Sequence, residues 1–429
     1  MKKAVVVGSG AGGCAAAKQL SGSFDVTVVE AGNGFVPFKY DTARFEPLRR
    51  RGLFLDERMI SALFPAMRVL KARGGLVHVN GCCIGGTTQL ATGNAIRCDG
   101  LLRDIGIDLS TEFAELENEV PQTREHIRAW SDLTVLLYSI FEDMGLDPQI
   151  TPKFMHDAKK CATCGKCVLG CRFGAKWTAD ALLEDNPRIG YMASTEALSL
   201  VIHDGLVFAV VVKNLLGREQ IVPADVVVLA AGGLGTPVIL NASGIPTDPS
   251  LFVDPVICVA APLEGARLDA QLPMPFVSQR DGYILSPYFD WLSFFFNNDW
   301  RMPAHDIASI MVKFADSSEG SFDGKRLHKR LTSHDEAIVE RSVEESKQIL
   351  ERLGVRREDM FLGTLNAGHP GGCLPLSEAE AETFHHDSLP ANLYVADASL
   401  FPHSMGNPPM LTIMALAKRV AKMCAQNFA

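Results

Sequence analysis

Residues 1–30 read MKKAVVVGSGAGGCAAAKQLSGSFDVTVVE, and this segment decides the fold. The apolar residues 4–7 predict a short buried strand, the residues up to about Leu20 predict a helix, and residues 25–30 predict a second strand. The glycine pattern Gly8-x-Gly10-x-x-Gly13 lies between the first strand and the helix. This order is typical of the first β-α-β unit of a doubly wound parallel sheet.

The glycine pattern predicts a dinucleotide site. Gly8 permits a tight turn, Gly10 lets the backbone approach a pyrophosphate, and Gly13 lets the helix pack closely on the sheet. The N-terminus of the helix then faces the phosphates. Glu30 ends the second strand and can accept hydrogen bonds from the adenosine ribose, with Ala31 beside it in the same site. The alternative is a purely structural glycine turn, and the pattern alone does not separate FAD from NAD.

Composition excludes several classes of protein. A chain of 429 residues with 47% hydrophobic and 21% charged residues has globular composition. The formal charge of −9 argues against nucleic acid as a partner. The apolar run after the N-terminal lysines is too short for a signal peptide, and we find no stretch long enough to span a membrane. We therefore expect a cytoplasmic protein.

Four of the eleven cysteines lie within eleven residues, as Cys161-x2-Cys164-x2-Cys167-x3-Cys171. This clustering favours a metal site in a reducing compartment over disulfides. The spacing is that of bacterial ferredoxin loops and predicts a [4Fe-4S] cluster. Cys171 is the least secure ligand, because the fourth cysteine of such a run can serve another cluster. A three-iron cluster, zinc and inert thiols are the alternatives.

Three further segments carry a resemblance to a known family. They read GCCIGGTT at 81–88, AAGGLGTP at 230–237 and LYVADASLFP at 393–402, the last followed by LTIMALA at 411–417. In this order they resemble the second flavin loop, the second signature and the C-terminal signature of the glucose–methanol–choline oxidoreductases. The resemblance implies FAD as cofactor. It also implies an α/β fold in which a Rossmann-like FAD-binding domain carries a second, α+β substrate domain on an antiparallel sheet, as in p-hydroxybenzoate hydroxylase.

The resemblance assigns positions around the cofactor. It places the second loop along the flavin ring and pyrophosphate, residues 231 and 232 near the adenosine half, and Asp397 at the ribityl–pyrophosphate region. The full set is Gly81, Gly85, Gly86, Thr87, Thr88, Asn94, Ala231, Gly232, Asp397, Ala398 and Pro408.

Domain limits follow from changes in composition. From about Ile245 the chain becomes proline-rich and aromatic, and its last forty residues return to a strand, a glycine turn and a helix. We predict a discontinuous FAD-binding domain of residues 1–245 with 386–429, which contains the cysteine loop 155–178. Residues 246–385 are predicted to form the substrate-binding domain. The aromatic residues between 289 and 300 are interpreted as core, with the wall of an apolar pocket and a surface for a membrane or a partner as the alternatives.

His369 is the candidate base. Residues 368–373 read GHPGGC and resemble the HPxGGC segment around the active-site histidine of the steroid and long-chain alcohol members, one residue shorter. The resemblance implies hydride transfer from a carbinol carbon to flavin N5, while the imidazole accepts the hydroxyl proton. The alternative is a packing or surface histidine.

Asn407 is the candidate for orienting the substrate oxygen. It lies in GNPPMLTI at 406–413, one residue longer than the family segment. A turn asparagine is the alternative, and nearby His403 is the second choice.

Together these features predict an FAD-dependent oxidoreductase that acts on an alcohol or on the corresponding carbonyl. The HPxGGC resemblance favours a bulky apolar alcohol over a sugar. Electrons would leave through the cluster to a quinone or to a redox partner protein, such as a ferredoxin, a cytochrome or another subunit. A cluster-fed reductase, an isomerase and a non-catalytic electron-transfer subunit are the alternatives.

Overall fold

The computed structural model describes residues 1–56, 60 and 64–429. The α-helices of this part are α1 (Ala11–Leu20), α2 (Glu46–Arg50), α3 (Gly100–Arg103), α4 (Ser110–Glu119), α5 (Asp132–Asp143), α6 (Gly232–Ala242), α7 (Trp291–Phe296), α8 (Ser333–Arg352) and α9 (Met410–Phe428). The first strands are β1 (Lys3–Val7), β2 (Asp25–Val29), β3 (Met67–Lys71), β4 (Val77–Gly81), β5 (Gln122–Thr123), β6 (Gln149–Ile150), β7 (Lys153–Phe154), β8 (Ile189–Met192), β9 (Thr195–His203), β10 (Leu206–Asn214) and β11 (Glu219–Pro223). The remaining strands are β12 (Val226–Leu229), β13 (Val256–Pro262), β14 (Phe276–Arg280), β15 (Tyr283–Pro287), β16 (Ile307–Phe314), β17 (Gly320–Phe322), β18 (Leu327–Lys329), β19 (Phe361–Leu362), β20 (Asn366–Ala367) and β21 (Leu393–Val395).

The first sheet is parallel and has the strand order β21-β12-β1-β2-β8. Strand β12 is buried along its whole length, as is β1 after its first residue. Continuous burial is expected of a parallel strand that is covered on both faces. Helix α1 packs against α9. The chain thus returns at its C-terminal end to the sheet that it began.

The second sheet has nine strands and is mainly antiparallel, with β13, β16, β15 and β14 as consecutive neighbours. Strand β16 is buried at every residue, and α8 packs on it through a stripe that includes Ile338 and Ile349. Strands β3 and β4, from residues 67–81, also pair in this sheet. This pairing lies outside the predicted limits of 246–385, and those domain limits stay a prediction.

The aromatic segment near residue 295 forms core. Trp291 and Trp300 are buried to 1% and 0% exposure, and Phe289 makes edge contacts with both rings. The guanidinium of Arg49 lies 3.7 Å from the Phe294 ring centroid and is itself buried. In the described part of the chain, no helix is long and apolar enough to cross a bilayer.

Candidate functional site

A cavity of about 380 Å³ opens where the parallel strands β1, β2, β12 and β21 end. Its lining therefore contains the residues that follow each of these strands at its carboxyl end. That edge is where open parallel sheets bind ligands. Of the predicted cofactor residues, the lining contains Gly8, Gly10, Glu30, Ala31, Gly81, Gly86, Thr87, Thr88, Ala231, Gly232, Asp397 and Ala398.

The first glycine loop has the shape that a pyrophosphate requires. Helix α1 begins at Ala11 with neither a side-chain cap nor an acidic residue in its first turn. Its first amides are therefore available to an anion, and a methyl group added at Gly10 would meet no atom within 4 Å. A methyl group at Gly13 would lie 2.0 Å from the Gly8 carbonyl oxygen, so this glycine serves the contact between helix and sheet.

Glu30 is buried beside this loop and fixes its path. One carboxylate oxygen accepts hydrogen bonds from the amide and the hydroxyl of Ser9, at 3.0 and 2.7 Å. The other accepts the Gly32 amide at 2.8 Å. Because an ionised carboxylate has about four acceptor positions, Glu30 retains capacity for a ribose hydroxyl.

The second loop crosses the first at two glycines. A methyl group at Gly86 would lie 2.8 Å from the Gly10 Cα atom, and Gly86 has a φ of 54°, in the left-handed region. Ser9 links the two loops, since its hydroxyl accepts the Gly85 amide at 3.1 Å. The hydroxyl of Thr87 accepts the Gly81 amide at 3.0 Å and closes the loop on itself. The two loops thus present backbone atoms to one cavity.

Asp397 holds the opposite rim. Its carboxylate accepts the amides of Gly232 and Ser399, both at 2.8 Å, and the hydroxyl of Thr236 at 2.6 Å. Burial raises the pKa of Asp397, and these donors oppose that shift. The carboxylate therefore fixes the start of α6 beside the cavity. This open, glycine-rich and uncapped cradle fits the pyrophosphate half of FAD.

Gly13, Gly85, Asn94 and Pro408 lie outside the cavity lining. The Asn94 amide group donates to the Met274 sulfur at 2.8 Å, and its oxygen accepts from the buried Lys153 amine. Burial lowers the pKa of Lys153 to about 7. The side chain of Asn94 thus bonds to residues outside the cavity lining.

His369 lines the same cavity and lies beside a buried carboxylate. Its Nδ1 atom is 3.7 Å from Asp254 Oδ2, and Asp254 Oδ2 is 2.7 Å from Lys313 Nζ. Burial, followed by the charges of Lys313 and His78, lowers the pKa of His369 well below its usual value. The imidazole is therefore neutral near pH 7 and can accept a proton.

Asn407 occupies a different environment from the predicted one. Its side-chain oxygen accepts from Gln279 Nε2 at 2.8 Å, and its side-chain nitrogen donates to Gln279 Oε1 at 3.2 Å. Asn407 is not among the residues that line the cavity, and His403 is exposed. The role of Asn407 as substrate orienter stays a prediction.

The sequence prediction missed Asp254, Lys313 and His78. One signal was available for Lys313, which is the only charged residue in the otherwise apolar strand IASIMVKF. A second was the lone buried histidine in VHV at 77–79. The apolar part of the cavity lining was not predicted either, and it includes Leu70, Leu234, Val238, Phe252, Phe322 and Met405.

The cysteine loop, residues 155–178, packs against the end of the second glycine loop. The Lys176 amine donates to the carbonyl oxygens of Gln89, Ala91 and Cys167, at 2.8, 2.9 and 3.0 Å. Burial raises the pKa of the Cys167 thiol to about 11.

Within residues 1–56, 60 and 64–429, no three His, Cys, Asp or Glu side chains are arranged as a metal site. The expected ligands, Cys161, Cys164, Cys167 and Cys171, belong to this part of the chain, and the structure records them as free thiols. A [4Fe-4S] cluster therefore receives no support from the structure, because these half-buried cysteines do not form a group of three or more ligands among the described residues.

Comparisons with known proteins point to one family. Residues 115–270 and 390–417 match the two family models described as GMC oxidoreductase. An uncharacterized protein of Methanocaldococcus jannaschii is 26% identical over 79% of this chain and 85% of its own length. The long-chain-alcohol oxidase FAO1 of Arabidopsis thaliana is 25% identical over 99% of this chain and 66% of its own length.

Solved structures have the same fold. Pyridoxine 4-oxidase from Mesorbium loti superposes with a TM-score of 0.73 at 17% identity, over 98% of this chain and 99% of its own. Formate oxidase of Aspergillus oryzae RIB40 superposes with a TM-score of 0.72 at 13% identity, over 99% of this chain and 98% of its own. The predicted fold class, a Rossmann-like domain with a second domain on an antiparallel sheet, is confirmed.

Proposed function

Since this chain is an FAD-dependent oxidoreductase of the GMC family, we propose that it oxidises an apolar alcohol to the carbonyl compound, with His369 as the base. The observation that carries this proposal is the position of a neutral imidazole in the cavity that the glycine loops form. FAD, when bound, supplies the acceptor for the two electrons and the carbon-bound hydrogen.

The protein's own part of the reaction is proton removal. The uncharged His369 ring accepts the hydroxyl proton of the alcohol as the carbonyl double bond forms. Asp254 stabilises the resulting imidazolium, because its carboxylate lies 3.7 Å from the ring and is held by Lys313. The glycine loops and Asp397 fix the cofactor side of the cavity.

The lining of the cavity supports an apolar substrate. Its wall carries leucine, valine, phenylalanine and methionine side chains. Each buried methylene of a substrate contributes about 0.8 kcal/mol of binding free energy in such a wall. We therefore propose a long or bulky alcohol over a sugar.

Anaerobic reduction of the FAD-loaded protein tests the proposal. A series of apolar alcohols should bleach the flavin absorbance, and rates should rise with chain length until the pocket is filled. The variant His369→Asn should slow bleaching by roughly 10²–10⁴-fold. His203→Asn, at an exposed position outside the cavity lining, is the matched control and should keep the wild-type rate. Equal rates in wild type and His369→Asn would refute the role of His369.

The cluster and the redox partner protein stay proposals that rest on cysteine spacing. The contact between Lys176 and the two loops supports a role of the cysteine segment near the cofactor, but we assign no electron path to it. Iron and sulfide analysis of anaerobically purified protein is the test. About four irons per chain would support the cluster, and flavin without iron would leave the cysteines structural.

A further inference from the structure

We propose that Asp254 is the positioning residue of His369: its carboxylate, held by Lys313, accepts the Nδ1 proton in a hydrogen bond and leaves Nε2 free for the substrate. Only the statement that Nε2 is left free for the substrate rests on the proposed function. The placement of the imidazole proton follows from contacts within this chain.

The Asp254 carboxylate is fixed on both oxygens. Oδ1 accepts the Ser404 hydroxyl at 2.6 Å and the Gly406 amide at 2.7 Å, while Oδ2 lies 2.7 Å from Lys313 Nζ. The side chain is 1% exposed. Burial raises the pKa of Asp254, while the charge of Lys313 and the hydrogen bonds from Lys313 and Ser404 oppose that shift. The remaining acceptor position of Oδ2 has His369 Nδ1 as a neighbour at 3.7 Å.

The His369 imidazole has one nitrogen without a hydrogen-bond partner. Nδ1 of His369 is buried and has no hydrogen-bond partner among the described residues. The side chain is 29% exposed, and this exposed part faces the cavity that it lines. A separation of 3.7 Å is too long for a hydrogen bond, but hydrogen bonds of this kind are often long or poorly aligned in an unliganded site. A buried ring nitrogen without a partner requires an explanation, and Asp254 supplies it.

The backbone of Asp254 is held in an uncommon conformation. Its φ is 58°, in the left-handed region that few residues other than glycine adopt. Asp316 accepts the amides of Val253 at 3.0 Å and Asp254 at 2.8 Å, and it pairs with Lys329 at 2.7 Å. Both side chains of that second pair are fully buried. Two buried ion pairs, Asp254–Lys313 and Asp316–Lys329, thus hold the Asp254 carboxylate and its backbone in place. Strained backbone conformations that are held in this way are common at functional sites.

The other charged and titratable groups that act on His369 are Lys313 and His78. Both disfavour the imidazolium, as burial does, so the ring carries one proton at neutral pH. The two nitrogens of a neutral imidazole are distinguished by the hydrogen bond that one of them makes. Asp254 is the group that places the single proton of the ring on Nδ1.

Nitrogen NMR of the FAD-loaded, ¹⁵N-histidine-labelled protein tests this inference, with the His369 signal assigned by His369→Asn. In the wild type, Nδ1 should carry the proton and Nε2 should not. Asp254→Asn should abolish this preference. The double variant Asp254→Asn with Lys313→Met should do the same, and it avoids leaving an unpaired buried lysine. Flavin reduction should slow by roughly 10²-fold in both, mainly through kcat, because the ring is misoriented.

Glu112→Gln is the matched control. Glu112 is also a buried carboxylate, paired with Arg419 and Lys422, and it does not belong to the cavity lining. The Glu112→Gln variant should keep the His369 tautomer and the pH dependence of flavin reduction. An unchanged tautomer in both Asp254 variants, or the same change in Glu112→Gln, would overturn the inference. Because NMR needs no turnover, an inactive wild type with the expected tautomer would count against the proposed function alone.

Discussion

Gly86 lies directly against Gly10, so closely that a methyl group on Gly86 would come within 2.8 Å of the Gly10 Cα atom. This contact joins the two loops that form the cofactor side of the cavity. Neither loop can move away, because Ser9 hydrogen-bonds both to Glu30 and to the amide of Gly85. Glycine at position 86 is therefore a requirement of the backbone path.

We expect Gly86→Ala to weaken FAD binding by about 10- to 100-fold, equal to about 1.4–2.8 kcal/mol. The new methyl group meets the backbone of Gly10, and alanine is strained at a φ of 54°. Titration of the apoprotein with FAD, followed by flavin fluorescence, measures the change. Gly34→Ala is the control, since a methyl group there meets no atom within 4 Å. Similar losses in both variants would contradict this account.

The protein should lose stability as the pH falls from about 6.5 to about 4. Burial lowers the pKa of His78 and of His126 to about 4 each, whereas an unfolded chain binds these protons near pH 6.5. Below that pH the unfolded state binds more protons, so acid favours unfolding. Each histidine contributes up to about 1.4 kcal/mol per pH unit in this window.

Urea unfolding of wild type and His78→Leu across this pH range measures the effect. The His78 ring is fully buried, and both of its nitrogens lack a partner among the described residues, so leucine removes the titration without removing a hydrogen bond. The variant should show a shallower slope below pH 6.5 and equal or higher stability at pH 5. A slope identical to that of the wild type would show that His78 does not titrate in this way.

Asn407 and Gln279 should behave as one unit. Their side-chain amides bond reciprocally, but only Asn407 is buried, so removal of Gln279 leaves the Asn407 oxygen buried without its partner, whereas removal of Asn407 leaves Gln279 to water. Gln279→Leu should therefore cost about 1–3 kcal/mol in the free energy of unfolding, and the double variant with Asn407→Leu should lose less than the sum of the two single changes. Flavin reduction rates should also fall by similar factors. A much larger rate loss for Asn407→Leu alone would restore its predicted role as substrate orienter.

The sequence predicted those parts of the site that depend on local backbone shape. The glycines between β1 and α1 and the glutamate after β2 follow from the short-range order of strand, turn and helix, whereas Asp397 after β21 is implied by the family resemblance. Asp254 and Lys313 could not be found in this way, because they are 59 residues apart and meet only through the register of β13 on β16. The same holds for the pairing of Asn407 with Gln279, which lies 128 residues away. Turn chemistry is local, whereas buried ion pairs depend on tertiary packing.

Lys176 should couple FAD binding to the order of the cysteine loop. Its amine bonds the carbonyl oxygens of Gln89 and Ala91 in one loop and of Cys167 in the other, and burial lowers its pKa to about 8. Lys176→Met keeps much of the side-chain volume but removes all three hydrogen bonds. We expect an FAD affinity about tenfold lower and faster alkylation of Cys167, because both loops lose their common donor.

Lys160→Met is the control, since this lysine lies in the same segment but is exposed, and it should change neither quantity. Fluorescence titration with FAD and mass spectrometry of alkylated cysteines provide the two readouts. If Cys167 became reactive while FAD affinity stayed constant, the two loops would be independent. The cysteine segment would then stabilise itself, and its contact with the cofactor loop would contribute nothing to cofactor binding.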